Sequence, residues 1–440
     1  MNIKKLIPKK IFTKLQPAYH YSLAILGAIL YRFPGDKMIV IGVTGTKGKT
    51  SAINFIWSAL TAGGYKTGII STANIRIGEK ESLNKYHMTM PGRFVIQKTM
   101  REMVKAGCKY CIVETTSEGI KQFRHIGINY DIAVFTNLSP EHLQSHGGSF
   151  ENYKNEKGKL FARLSKLKKK KINGEIIEKI SIVNTDSEHA DFFLNFKADK
   201  KITSGINKNA DLMATDIKED SSKVYFKVLD SNFELSISGK FNIYNALPGI
   251  AIARLAKIND EEIAKGLKDL SVIPGRMERI NEEQNFITVV DYAHERESMT
   301  NVLQTAQNIK LASAKIIVLL GAEGGGRDKA KRPIMGEISA KLADYVVVSN
   351  VDPYEDDPTE IVEDIAIASE KFGKKRNENL FVIEDRREGI RKAISLAKEN
   401  DVVIITGKGA EQSMIIGGKK IPWDDRLVVR EELKRLKIQK

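Results

Sequence analysis

The run Gly42-Val-Thr-Gly-Thr-Lys-Gly-Lys-Thr-Ser51 has the residue types of a loop that wraps phosphate. Glycine there lets backbone N–H groups turn inward, and a helix starting after the loop adds its partial positive charge. Lys49 can reach the β- and γ-phosphates of a nucleotide, and Thr50 can hold magnesium. Gly45, Thr46, Lys47, Gly48 and Ser51 complete the cradle. The strict pattern G-x-x-x-x-G-K-[ST] fails at one position, because Val43 stands where its first glycine belongs. Such a loop implies a nucleotide. It does not name a reaction.

These residues need a strand before them and a helix behind. Lys37 to Val43 reads as an apolar strand, and Ser51 to Ala62 carries apolar residues at helical spacing. Tyr110 to Val113 is a second strand, ending in Glu114, and Ile132 to Phe135 a third, ending in Thr136-Asn137. After Pro274-Gly275 a similar series follows. Its strands run from Phe286 to Val290, Lys315 to Leu320, Tyr345 to Val348 and Val402 to Ile405. Each delivers polar or glycine residues at its C-terminal end, where open α/β sheets bind ligands. Apolar strands alternating with helices predict mostly parallel sheets covered on both faces. From about residue 200 to 240 the alternation reads instead as antiparallel strands. A chain of 440 residues is too long for one ordinary core. The expected divisions are a basic and apolar helical segment over 1–36, a central ATP-binding domain over 37–273 and a C-terminal domain over 274–440.

Thr44-Gly-Thr-Lys-Gly-Lys-Thr50 resembles the ATP loop of the Mur ligase superfamily, to which folylpolyglutamate and cyanophycin synthetases also belong. The likeness continues downstream. Glu114 stands where a second magnesium-binding carboxylate is expected. Asn137-Leu-Ser-Pro-Glu-His142, with His146-Gly147, is similar to the family's Thr-Asn-Leu-x-x-Asp-His-Leu-x-x-His-Gly stretch, which implies His142 as a magnesium ligand. Tyr153-Lys-Asn-Glu-Lys157 resembles the segment bearing a carbamylated lysine, which implies that role for Lys157. Carbamylation turns a cation into an anion and so needs a lysine of depressed pKa. Gly239-Lys-Phe-Asn242-Ile-Tyr-Asn245 resembles a nucleotide-contacting stretch, with Asn242 and Asn245 on one helical face. Pro274-Gly-Arg276 resembles the junction to the C-terminal domain, with Arg276 near the transferred phosphate. Val289-Val-Asp291-Tyr-Ala-His294 resembles a stretch whose Asp binds ribose. The implied fold is α/β: a central P-loop ATPase domain with a mostly parallel sheet, then a Rossmann-like C-terminal domain.

Within the superfamily the chain is most like the MurE type, which adds the third residue of the peptidoglycan stem peptide. Thr89-Met-Pro91 and the stretch Glu114 to Arg124 stand where that type contacts its muramyl-peptide, which implies Thr89, Ser117 and Arg124 as substrate contacts. Gly321 to Arg327, followed by Lys331-Arg332-Pro333, resembles Gly-Gly-Asp-Arg-Asp-x-x-Lys-Arg-Pro and adds Arg327. Val351-Asp352-Pro353-Tyr354 replaces Asp-Asn-Pro-Arg, whose Arg grips the second carboxylate of meso-diaminopimelate. Tyr354 cannot make that bidentate contact, so lysine or another diamino acid becomes an alternative expectation to diaminopimelate. Gly407-Lys-Gly-Ala410-Glu411 has Ala where the family has His, while Gly407 and Glu411 are kept. The phosphate loop begins at residue 42, so the usual N-terminal domain for the uridine nucleotide is expected to be missing. The resemblance covers about nine-tenths of the chain.

The implied reaction attaches a diamino acid to UDP-N-acetylmuramoyl-L-Ala-D-Glu through an acyl phosphate, using ATP and two magnesium ions. A folylpolyglutamate- or cyanophycin-type ligase would share the chemistry but give no reason for the Thr89–Pro91 and Arg327–Pro333 matches. A P-loop transport or switch ATPase would leave Arg276, Asp291 and Glu411 unexplained.

Composition narrows the setting. With 42% hydrophobic and 28% charged residues the chain reads as a soluble globular protein, and the resemblance adds the expectation of a cytoplasmic monomer. The net charge of +15 is spread as lysine through helices and loops, and no aromatic residues interleave with Lys168 to Lys171, so nucleic acid is not an expected partner. Cys108 and Cys111 are too few for a zinc site and read as packing residues. Lys4, Lys5, Lys9, Lys10 and Lys14 precede an apolar stretch from Ala18 to Tyr31 that is too short to span a bilayer. Residues 1–31 are either a basic anchor on the inner face of the membrane or a helix docked on its own domain. Docking is the expectation.

Overall fold

The computed structural model describes residues 9–438 except 87, 142, 221, 327 and 328, and of residues 9–14 the backbone alone. The chain divides into two compact units. The first holds residues up to 215 with 227–233 and 243–269; the second holds 216–226, 234–242 and 270 onward.

The N-terminal helix α1 (Lys9–Leu30) packs on the first unit and stops before a 3-10 turn at Pro34–Lys37. The first unit's sheet is built around β1 (Ile39–Thr44), an apolar strand buried along its whole length. Helix α2 (Lys49–Ala62) follows it directly, because Gly48 takes a left-handed φ of 77° as its N-cap. The helix therefore begins at Lys49, two residues before the predicted Ser51, and Lys49 and Thr50 lie in its first turn. Next come β2 (Thr67–Ile70), β3 (Asn74–Ile77), β4 (Lys80–Leu83), α3 (Arg93–Lys105), β5 (Tyr110–Glu114), the short α4 (Ser117–Lys121) and β6 (Ile132–Phe135). β1 pairs in parallel with β5 on one side and β6 on the other, setting Val43 opposite Glu114 and Thr44 opposite Phe135. The loop after β1 thus emerges beside the ends of both neighbours.

Helix α5 (Phe150–Leu164) crosses after β6, and a hairpin of β7 (Lys171–Ile172) and β8 (Glu175–Ile176) leads to β9 (Ile180–Asn184) and β10 (Lys200–Gly205). β9 pairs in parallel with β6 and with β10. The sheet order continues through β11 (Leu212–Glu219), β12 (Val224–Val228) and β13 (Ser231–Leu235). The antiparallel expectation fails at the start of this stretch. β11 begins in parallel alongside the end of β10, with Ser204 opposite Leu212 and Gly205 opposite Met213. Only the strand ends overlap, so a short loop suffices where a full parallel pairing would need a long crossover.

Between β1, β5, β6, α3 and α5, a core of Val40, Met100, Cys111, Val113, Phe135 and Phe161 is closed to water. Each such side chain contributes about 1.5–3 kcal/mol by burial. Both cysteines are free and buried, and burial raises their thiol pKa values. Asp131 is wholly buried and binds the ammonium groups of Lys170 and Lys179 while accepting the Val40 N–H at 2.8 Å. That cluster pins the start of β1.

The second unit carries β14 (Glu278–Arg279), β15 (Ile287–Asp291), β16 (Ile316–Leu320), β17 (Tyr345–Val348), β18 (Leu380–Val382) and β19 (Val402–Thr406). Their order is β14-β15-β19-β16-β17-β18. Every pair is parallel except β14–β15.

Candidate active site

The loop after β1 is held open from outside itself. Asn137 accepts the Thr46 N–H with its backbone oxygen at 2.9 Å and the Lys47 N–H with its side-chain oxygen at 2.8 Å. Thr136 donates its hydroxyl to the Lys47 carbonyl at 2.7 Å. A Cβ on Gly48 would lie 2.1 Å from the Asn245 side-chain oxygen, which together with its φ of 77° favours glycine where that amide approaches the loop. Ser51 is buried in the first turn of α2. Lys49 curls back over the loop and donates to the carbonyls of Gly45 and Thr46 at 3.0 and 2.8 Å. Lys47 forms an ion pair with Glu141.

Glu114, only 2% exposed at the end of β5, accepts the Thr50 hydroxyl at 3.0 Å and the Thr72 N–H at 2.8 Å on one carboxylate oxygen. Thr72 in turn shares a 2.8 Å hydrogen bond with the Thr89 hydroxyl. Magnesium is held by one or two carboxylates together with phosphate and water. The Thr50 hydroxyl and Glu114 carboxylate are donors of that kind, close together at the phosphate loop. Among the described residues no three His, Cys, Asp or Glu side chains cluster as metal ligands. His142, expected as a magnesium ligand, and Arg327, expected as a substrate contact, lie outside the described residues.

Lys157 comes from α5, far along the chain, yet its Nζ donates to the Gly45 carbonyl at 2.7 Å. It is 2% exposed and lies 4.5 Å above the Tyr153 ring. Burial, then the neighbouring charge of Lys49, holds its pKa well below the ordinary lysine value, against the pull of Glu141 and Glu114. An ammonium has no lone pair for a metal, whereas the depressed pKa favours the free amine that carbamylation requires.

Beside this, Ser117 at the head of α4 lies 3.1 Å from His146 Nε2, and both are buried. Desolvation lowers the His146 pKa. Arg124 binds the Met90 carbonyl and donates to the Gln122 side-chain oxygen at 2.6 Å, and its burial lowers its pKa. Thr89, Ser117 and Arg124 belong to the first unit, with the phosphate loop.

In the second unit Arg276 stacks its guanidinium 4.4 Å from the Tyr292 ring centre. Both Asp291 oxygens accept backbone N–H groups, from Met277 and from Ala293, each at 2.7 Å. Asn242 donates its side-chain amide to Ser238 at 2.8 Å. Lys408 sits fully buried between Asp352, at 2.7 Å, and Glu411, at 2.5 Å. Burial alone would lower its pKa, but Glu411 and Asp352 outweigh that and raise it. Glu411 also accepts the Tyr292 hydroxyl at 3.1 Å. Tyr354 takes a left-handed φ of 56°, and its ring lies 2.9 Å from where a Gly325 Cβ would stand. Gly407 is also left-handed, with φ 111°.

Sequence reasoning did not single out Thr72, Tyr153 or Lys408. Tyr153, whose hydroxyl lies 3.1 Å from Thr46 Oγ1, stood four residues before Lys157 on the same helical face, a spacing that could have exposed it. Lys408 lay inside a quoted motif as an uncommented cation. Thr72 offered no signal.

A phosphate loop opening a parallel sheet, followed by a second parallel α/β unit, is the frame of an ATP-using ligase. Residues 43–253 match the Mur ligase middle domain and residues 275–409 the Mur ligase glutamate ligase domain. The chain belongs to the Mur ligase family. It is similar to the UDP-N-acetylmuramoyl-L-alanyl-D-glutamate–2,6-diaminopimelate ligase of Geobacillus kaustophilus, at 36% identity over 94% of this chain and 82% of that protein. An enzyme of that name from Clostridium acetobutylicum is 34% identical over 99% of this chain and 86% of its own. A solved structure of such a ligase shares 27% identity and a TM-score of 0.60 over 91% of this chain and 79% of its own. Folylpolyglutamate synthase of Mycobacterium tuberculosis superposes at TM-score 0.68 over 97% of both chains, with 17% identity, a likeness of fold alone.

Proposed function

We propose that this chain joins a diamino acid, meso-diaminopimelate or L-lysine, to UDP-N-acetylmuramoyl-L-Ala-D-Glu in peptidoglycan synthesis, working as a cytoplasmic monomer. The observation that carries the reading is the gathering of Lys49, Thr50, Glu114 and Lys157 around one loop. Names and coverage of the relatives support the UDP-linked dipeptide and diaminopimelate, while Tyr354 in place of an arginine brings in L-lysine.

A carboxylate of the acceptor attacks the γ-phosphorus of ATP, the bond to the β-phosphate oxygen breaks, and ADP leaves. The amine of the incoming amino acid attacks the resulting acyl phosphate, expels phosphate and loses a proton. Phosphoryl transfer is chiefly positioning and charge neutralisation. Lys49 and the loop N–H groups hold the β- and γ-phosphates. Thr50, Glu114, His142 and a carbamylated Lys157 would hold magnesium in two sites, and the metal would supply neutralisation of the phosphate charge. Arg276 steadies the transferred group, while Asn137, Asn242, Asn245 and Asp291 serve the nucleotide. Thr89, Ser117, Arg124 and Arg327 hold the muramyl-peptide. Asp352, Tyr354, Gly407 and Glu411 shape the place of the amino acid.

The test is phosphate release across a panel of amino acids with the UDP-linked dipeptide and with free dipeptide. Release should require both acceptor and amine, and oxygen-18 from the acceptor carboxylate should appear in the phosphate. ATP turnover indifferent to both would instead mark a switch or transport ATPase.

A further inference from the structure

From Leu15 to Tyr31 the chain has no Asp, Glu, Lys or Arg, so this part of α1 is uncharged and mostly apolar. One side is covered: Ala24, Gly27 and Ala28 are buried, with the Arg93 carbonyl and Phe94 ring of α3 about 3.6 Å from a Cβ on Gly27. The other side is bare. Leu15, Tyr19, Leu26, Ile29 and Leu30 are 57, 55, 53, 54 and 62% exposed. Their spacing sets them in one stripe along the helix, about 22 Å long at about 1.5 Å per residue. A soluble surface rarely leaves such a stripe uncovered without using it.

Charge says what covers it. Where α1 ends, Arg32 joins Lys98, Arg101 and Lys105 of α3 around an open cavity of about 370 Å³. The single carboxylate lining it, Glu102, is 4.0 Å from Lys98, which leaves the cations in excess. At the other end of the stripe the sequence places Lys9, Lys10 and Lys14. An apolar stripe with cations at both ends is the pattern of a helix lying in a membrane interface, its apolar side at the acyl boundary and its cations among the headgroups. No helix among the described residues is long and apolar enough to cross a membrane, so the contact is peripheral.

We infer that the outer side of α1, with Arg32, Lys98, Arg101 and Lys105, is a docking surface for an anionic phospholipid bilayer. The proposal does not depend on the reaction at the phosphate loop.

The test is co-sedimentation of the full chain with vesicles of phosphatidylglycerol and phosphatidylcholine, against vesicles of phosphatidylcholine alone. Binding should appear with the anionic vesicles, be at least tenfold weaker on the neutral ones, and weaken as salt rises, since exposed charges are screened. Leu26→Glu with Ile29→Glu should abolish it, and Lys98→Glu with Arg101→Glu should reduce it about tenfold or more, since charged headgroups are being lost as partners. Phosphate release in solution reports that the variants fold. No sedimentation with anionic vesicles, or equal binding to both vesicle types, overturns the proposal. So does light scattering showing a dimer that Leu26→Glu dissolves while vesicles fail to bind, which would assign the stripe to a second copy of the chain.

Discussion

The Nζ of Lys157 donates to the carbonyl oxygen of Gly45, 2.7 Å away, inside a loop 112 residues earlier in the chain. The buried amine reaches that loop from α5, the helix that follows β6 and packs on β6 and β1. Removing it should therefore affect phosphate chemistry without disturbing the loop's own hydrogen bonds to Asn137 and Thr136. Lys157→Ala should lower turnover by about 10²-fold or more, the scale for loss of a group that stabilises transition-state charge. If the lysine acts as its carbamate, carbon-13 dioxide should give a carbamate resonance in the wild type that the variant lacks.

The same burial makes a prediction about pH. The folded-state pKa of Lys157 is depressed, and the unfolded value is near 10.5. Between the two, the unfolded chain binds the extra proton, so this group's contribution to stability rises with pH across that window. Below the window the folded state must carry a buried cation. In carbon-dioxide-free buffer Lys157→Met should be more stable than the wild type near neutrality, and the gap in Tm should close as pH climbs toward 10.5.

Glu114 accepts from Thr50 and from the Thr72 N–H. Glu114→Gln keeps an acceptor for both and so preserves the fold, but removes the charge proposed to hold magnesium. The magnesium concentration for half-maximal phosphate release should rise about 10- to 100-fold, the range for damage to a metal's supporting groups. An unchanged magnesium requirement would remove Glu114 from the metal's surroundings.

These residues were unequally legible. The phosphate loop and Glu114 could be read because the chemistry demands contiguous residues or a strand end, both local in sequence. Thr72 and Lys408 could not, since their importance arises where segments distant in sequence meet. For α1 both sequence readings were reasonable, because an uncharged, mostly apolar stretch from Leu15 to Leu30 does not say which side is covered. The structure docks one side and leaves the other bare. Parallel pairing of β10 with β11 was missed because alternation reports which face is buried but not strand direction.

Lys408 holds two carboxylates in the second unit. Lys408→Met removes the ammonium that stands 2.7 Å from the buried Asp352 carboxylate, and breaking a buried pair in this way costs about 3–5 kcal/mol. Adding Asp352→Asn should return part of that stability, because a neutral amide can keep the Ile415 N–H bond, now 2.7 Å, without a charge. Thermal unfolding of single and double variants measures the coupling. Additive losses would mean that the two side chains do not act as a pair.

Tyr354 offers the sharpest test of which amino acid is added. It stands where the resemblance places an arginine that grips a carboxylate, and its left-handed backbone is fixed by the Tyr354 N–H bond to Ile415 at 3.1 Å. A phenol can give a carboxylate one neutral hydrogen bond, whereas a guanidinium gives two charge-assisted ones. The wild type should therefore gain little from the second carboxylate of meso-diaminopimelate, and its kcat/KM for L-lysine should equal or exceed that for diaminopimelate. Tyr354→Arg should move the ratio toward diaminopimelate by about tenfold or more, the equivalent of about 1.4 kcal/mol. The substituted residue keeps the same backbone bond, so the shift should appear in KM for the amino acid while KM for ATP stays put. A ratio that does not move would mean that selection of the amino acid lies elsewhere in the second unit.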